Sequence, residues 1–178
     1  MKAKELLQKK LNANKPINII LSWLTVLLWM GLIFCLSAQV AEESARLSSG
    51  VTQFIIHLIH GIFPKIHIDI NAFSYMVRKL AHFLCYLVLG LLVLNALKSS
   101  NVHGYKRILL SAIICILYAA SDEIHQLYVP GRGGQIRDVF IDFSGSVSGF
   151  ILERVIHKIR SIKKHEKSDS LPVNPDSE

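Results

Sequence analysis

Cysteine is scarce in this chain and odd in number, and Cys35, Cys85 and Cys115 each sit inside an apolar run. That argues against a disulfide framework and leaves each thiol to behave as a small hydrophobe. No His-Glu-x-x-His is present, so the most familiar helical zinc motif is missing. Internal repeats and low-complexity tracts are absent too. Charge is sparse across four long stretches, 17–36, 80–97, 108–128 and 139–159. A soluble domain of 178 residues would instead show amphipathic stripes.

What fills those stretches is hydrocarbon. Half of the chain, 51%, is hydrophobic, and a helix needs about 20 apolar residues to cross a bilayer core. The expected architecture is all-α: a polytopic membrane protein, a bundle of four transmembrane helices with an extra amphipathic outer segment. The first block is longer than the apolar region of a signal peptide. It ends in Leu36-Ser37-Ala38-Gln39, which favours an uncleaved helix. Residues 16–160 form the membrane domain, and Trp23 and Trp29 lie too deep in the first block for an interfacial belt.

A net charge of +7 would suit nucleic acid if the cations formed one patch. They form three clusters instead: Lys2, Lys4, Lys9, Lys10 and Lys15; then Lys98, Lys106 and Arg107; then 154–167. By the positive-inside rule all three clusters, and with them both termini, face the cytoplasm. Anionic lipid of the inner leaflet is their natural partner, and nucleic acid is not. Residues 1–15 read as a basic cytoplasmic amphipathic segment, and 161–178, with Pro172 and Pro175, as a disordered cytoplasmic tail. The loops 37–79 and 129–138 then lie outside. Within the first, residues 51–60 are apolar with one polar strip and too short to span. They suit an outer-surface or re-entrant helix ended by Gly61 and Pro64.

The densest chemistry follows the third block: Asp122-Glu123-Ile124-His125-Gln126, then Pro130-Gly131-Arg132 and Asp138. Such groups are costly at a membrane and usually functional. The topology brings others to the same depth: Ser37 and Gln39 end the first helix there, and Arg78, Lys79, His82 and Tyr86 open the second. Arg78, His82 and Tyr86 are spaced by four and share one helical face. Asp138, Asp142, Gly145 and Gly149 form another stripe, whose small residues let a neighbouring helix approach closely.

Three readings of this cluster stand side by side. It can be a buried ion-pair network that fixes helix register. It can be a metal site, with His82 and His125 completed by Asp122, Glu123 or Asp138, a donor set that suits zinc or manganese. The nearby arginines oppose a cation, so no metal or cofactor is assigned. It can also be an acid–base site in which His125 or His82 is poised by a carboxylate and the arginines hold a phosphate or carboxylate. Ser37 would be a nucleophile only with a base beside it; a helix-end role is simpler. His57, His60 and His67 read as interfacial, and His103, His157 and His165 as solvated on the inner side.

Leu36-Ser37-Ala38-Gln39, Arg78-Lys79-x-x-His82-Phe83-x-x-Tyr86, Asp122-Glu123-x-His125-Gln126, and Pro130-Gly131-Arg132 with Asp138 and Gly145 together resemble the VanZ-like family of small membrane proteins. The resemblance covers about residues 20 to 155 and implies a bacterial cell-membrane protein, some of whose relatives confer resistance to the glycopeptide teicoplanin. The expectation is an outward polar pocket that binds or modifies an anionic lipid or lipid-linked cell-wall intermediate, with a glycopeptide as a further partner. His82, Asp122, Glu123, His125 and Asp138 would form its reactive, proton-handling core. Arg78 and Arg132 would hold the anion, with Gln126, Ser37, Gln39 and Tyr86 lining the binding site. The alternatives are a proton-linked transporter or lipid translocator, and a non-catalytic membrane assembly partner. Against the transporter stands the poverty of the inner half in polar groups, where Asn95 and Ser111 are the main ones.

Overall fold

The computed structural model describes residues 2–62 and 69–169, with side chains described from residue 15 onward apart from 41 and 164–169. Every described element is helical: α1 (Lys2–Ser37), α2 (Ala41–Ile62), α3 (Ile70–Ser99), α4 (Gly104–Gln126) and α5 (Ile136–Asp169). In hydrocarbon the backbone must bond to itself, which a continuous helix does within one segment. Among the described residues three segments are long and apolar enough to cross a membrane: Lys15–Ser37, Ile70–Ser99 and Gly104–Gln126. The fourth expected span falls in α5, which carries Arg137, Asp138, Asp142, Glu153 and Arg154 and does not meet that standard.

The helices are longer than the apolar blocks suggest. The stretch between Ser37 and Lys79 is mostly ordered helix, because α2 occupies 22 residues and α3 begins at Ile70. The Asp69 carboxylate accepts the Asn71 N–H at 2.9 Å and so caps α3 ten residues before its apolar run. His57 and His60 therefore lie on α2, while Pro64, Lys65 and His67 fall outside the described residues. The backbone of α1 is one helix through Pro16, so residues 2–15 continue the helix ahead of the Lys15–Ser37 span. At the other end α5 runs to Asp169, past the expected start of a disordered tail at 161. The reason is local: Ile159 to Lys167 holds good helix formers and no proline. Residues 170–178, with both prolines, lie outside the described residues.

Contacts set the helix directions. Trp23 on α1 donates its indole N–H to Ser100 Oγ at 3.0 Å, and Trp29 donates to the Cys85 carbonyl at 2.9 Å. Thus α1 runs antiparallel to α3, and the two deep tryptophans serve as its ties. Tyr118 on α4 donates to the Met30 carbonyl at 2.5 Å. The closest seam joins α3 and α5, which run parallel. A Cβ at Gly149 would stand 2.5 Å from the Leu87 carbonyl oxygen, and one at Gly90 2.7 Å from that of Ser146. Gly145 is tighter still against the Phe83 carbonyl. Ser146 Oγ adds a hydrogen bond to the Tyr86 carbonyl at 3.1 Å. Small residues at this spacing let the two backbones touch.

The core is a column of Val26, Ile33, Tyr86, Leu89, Val93, Leu94, Cys115, Ala119 and Phe150. Outside it, Ile20, Leu27, Leu28, Leu84 and Leu117 are exposed, a dressing suited to lipid. Helix α2 inverts the rule for soluble proteins. Ser44, Ser48 and Thr52 are buried while Leu47, Val51, Phe54 and Leu58 face out. Ser48 and Ser74 hydroxyls meet at 3.0 Å and hold α2 to α3.

Candidate functional site

The polar groups of α3, α4 and α5 meet in a cavity of about 140 Å³ lined by Arg78, Lys79, His82, Glu123, Gln126, Arg132, Asp138 and Asp142, with Tyr75 and Gln135 at its sides. The α3–α5 seam builds one wall. Because Gly145 lies against Phe83, Asp142 and Asp138, one and two turns earlier on α5, are pressed toward His82 and Lys79. Lys79 and Asp138 form an ion pair and hydrogen bond. His82 Nδ1 stands 3.9 Å from Asp142 Oδ2, too far for a hydrogen bond.

A turn builds the opposite wall. Gly131 has a φ of 74°, and the Arg132 N–H donates to the Val129 carbonyl at 3.1 Å. Proline followed by a left-handed glycine suits a type II turn. That turn sends Arg132 back over the helix ends, where its Nη1 donates to the Ser37 carbonyl at 3.1 Å. Burial first, then the charge of Arg78, lower the Arg132 pKa from its usual value. An anion would relieve both. Behind the turn, Glu123 Oε2 accepts the Gln135 N–H at 2.8 Å and so fixes the loop to the end of α4.

Asp122 is buried behind the cavity. Its Oδ2 accepts from Ser37 Oγ at 2.8 Å and from Gln126 Nε2 at 3.3 Å. Ser37 is therefore a brace, with the aspartate rather than a base beside it. Tyr86 is fully buried, and its hydroxyl has no hydrogen-bond partner among the described residues. His125 points elsewhere: its ring stacks on Phe34 with centroids 4.2 Å apart, and it does not line the cavity. Gln39 lines a neighbouring apolar groove of about 260 Å³ between α1, α2 and α3, with Ile33, Leu36, Leu47, Val51, Val77 and Ala81. Arg78, His82 and Arg132 line both spaces.

Of the expected site residues, then, Arg78, His82, Glu123, Gln126, Arg132 and Asp138 share one cavity. Ser37 and Asp122 support it, Tyr86 lies beneath it, Gln39 borders the groove and His125 stands apart. Lys79 and Asp142 also face the cavity, although sequence reasoning gave them no role. Their spacing held the signal, since Lys79 is three residues before His82 and Asp142 is four after Asp138. Tyr75 and Gln135 carried none. For a cation, the available donors are His82, Asp122 and Asp142, whose nearest ligand atoms lie within 4.8 Å of one another.

Residues 22–157 match the family model described as VanZ/LLP1, which takes in every one of these positions. The chain belongs to that family. No curated protein and no solved structure gives a significant match.

Proposed function

With VanZ/LLP1 membership as the premise, we propose that the cavity receives the phosphate of an anionic lipid or lipid-linked cell-wall intermediate in a bacterial cell membrane. Arg78 and Arg132 hold the anion, and the lipid chain follows the adjoining groove. One observation carries this reading. The two arginines stand where the polar cavity meets the apolar groove, and neither has an ion pair among the described residues, while each Nε is buried without a partner. A guanidinium fork left open beside an apolar channel is suited to an amphiphile with a charged head.

The topology completes the reading. Helix α5 serves as the fourth span, its polar face turned to α3 and its apolar face to lipid. With the lysine-rich ends taken as cytoplasmic, the helix directions favour the outer leaflet for the cavity. There His82, Glu123 and Asp138 would handle a proton on the bound head, with Asp122 behind them. Engaging a lipid-linked cell-wall intermediate would give the protein an influence on teicoplanin susceptibility. Transport is less well served. Among the described residues the buried acids are Asp122, Glu123, Asp138 and Asp142, all at the cavity end. Below them Ser146 and Ser111 stand among Ala119, Cys115, Leu89 and Val93, with no buried acid or base to relay a proton.

The test is lipid retention in nanodiscs, read by native mass spectrometry. Wild type should keep an anionic lipid in preference to the zwitterionic host from a phosphatidylcholine bilayer doped with phosphatidylglycerol or a polyprenyl phosphate, and whichever is kept identifies the source. The Arg78→Ala/Arg132→Ala variant should lose it. Equal retention by that variant contradicts the proposal.

A further inference from the structure

We propose that His82, Asp122 and Asp142 bind a divalent cation of the zinc or manganese class beneath the arginines. One residue comes from each of α3, α4 and α5, and their donor atoms lie within 4.8 Å of one another. Metal–ligand bonds of about 2.1 Å in a tetrahedral site put donors roughly 3.4 Å apart. Side-chain rotation of about an ångström therefore closes the set. One imidazole and two carboxylates suit these metals and leave a coordination position open to the cavity, which His82 and Asp142 line.

The second observation is independent of spacing. Asp122 and Asp142 are each only 2% exposed, yet among the described residues Asp122 Oδ1 and Asp142 Oδ2 have no hydrogen-bond donor. Unanswered carboxylate lone pairs are expensive in a buried site. The Tyr86 hydroxyl, fully buried, is likewise without a hydrogen-bond partner among the described residues. The surrounding bonds look like the outer support of a ligand set. Ser37 and Gln126 fix the other oxygen of Asp122, as metal-binding carboxylates are commonly fixed.

Nearby cations do not exclude the ion. Lys79 is committed to Asp138, so its charge is already answered. The two aspartates match a divalent charge and leave Arg78 and Arg132 for an anion. Metal and arginines would then face one phosphate from two sides. The cation site does not depend on the lipid reading, and its test contains no phosphate.

Protein in a zwitterionic detergent is stripped with chelator, then titrated with Zn²⁺ and Mn²⁺ by calorimetry, with bound metal counted by mass spectrometry. Wild type should saturate at one ion per chain. Asp142→Asn and His82→Ala should each lose about tenfold or more in affinity, while Glu153→Gln, about three turns along α5 from Asp142 and paired with Arg107, should bind as wild type. No saturable binding overturns the proposal, and so does unchanged affinity in both triad variants or loss in Glu153→Gln. X-ray absorption of zinc-loaded wild type decides the matter if a variant does not fold. One imidazole with oxygen neighbours supports the triad; sulfur or several imidazoles overturns it.

Discussion

The acidic and basic walls of the cavity are held in opposite ways. Asp122 is braced by Ser37 and Gln126, Glu123 by the Gln135 backbone and Asp138 by Lys79. Among the described residues neither Arg78 nor Arg132 has an ion pair, and Arg132 donates to the Ser37 carbonyl. Had the cluster been a register lock, its acids and arginines would pair with one another. Instead Asp122, Glu123 and Asp138 each give one oxygen to the fold, and the arginines have no acidic partner among the described residues. The difference sets the expectations: breaking those braces should cost stability, and removing the arginines should cost anion binding.

The largest effect should fall on the basic wall. Removing both guanidiniums in Arg78→Ala/Arg132→Ala deletes charge-assisted bonds worth about 1.5–3 kcal/mol each, so affinity for an anionic lipid drops on the order of a thousandfold. Melting in detergent should hardly move. A large drop in Tm would show that the arginines hold the fold after all.

Gly145→Leu attacks both walls together by wedging α3 from α5. Overpacking of this kind costs about 1–3 kcal/mol, and thermal unfolding should fall along with lipid binding. Gly31→Ala is the contrast, since nothing lies within 4 Å of a Cβ there. Equal stability of the two variants would deny that the seam positions the site.

On the acidic wall, Lys79→Met strands the Asp138 carboxylate, which is 5% exposed. Breaking a fully buried pair costs about 3–5 kcal/mol, but Lys79 is 23% exposed in its side chain, so roughly 2 kcal/mol is expected. Replacing both partners, Lys79→Met with Asp138→Leu, should recover most of it. No recovery in the double variant would mean that the pair does more than match charge. Ser37→Ala should be mildest, about 1 kcal/mol for one hydrogen bond, read by chemical denaturation with lipid affinity unchanged.

Much of this was legible in the sequence because its signals are local. A close-packing stripe on α5 could be read from Asp138, Asp142, Gly145 and Gly149 at helical spacing, though not that its partner is α3, and family membership from four short motifs. That polar groups of separate helices share one cavity was expected from the charge clusters, which order the helix ends. Pairing was not legible: that Asp138 would take Lys79, leaving the arginines bare, depends on a helix rotation that no single motif encodes. His125 misled because its neighbours in sequence, Asp122 and Gln126, face the site while its own ring finds Phe34. Helix α2 was underread since its buried side is serine and threonine, the reverse of the pattern that marks a packed helix in water. The early start of α3 hung on one capping residue, Asp69, ahead of a run judged by hydropathy alone.

A structure determined in a nanodisc containing anionic lipid tests the central claim most directly. The account predicts a phosphate-sized feature between the Arg78 and Arg132 guanidiniums, with hydrocarbon density leading along Leu36, Leu47 and Val51. Finding both guanidiniums instead turned onto Asp122 or Glu123, with the space between them closed, would contradict it.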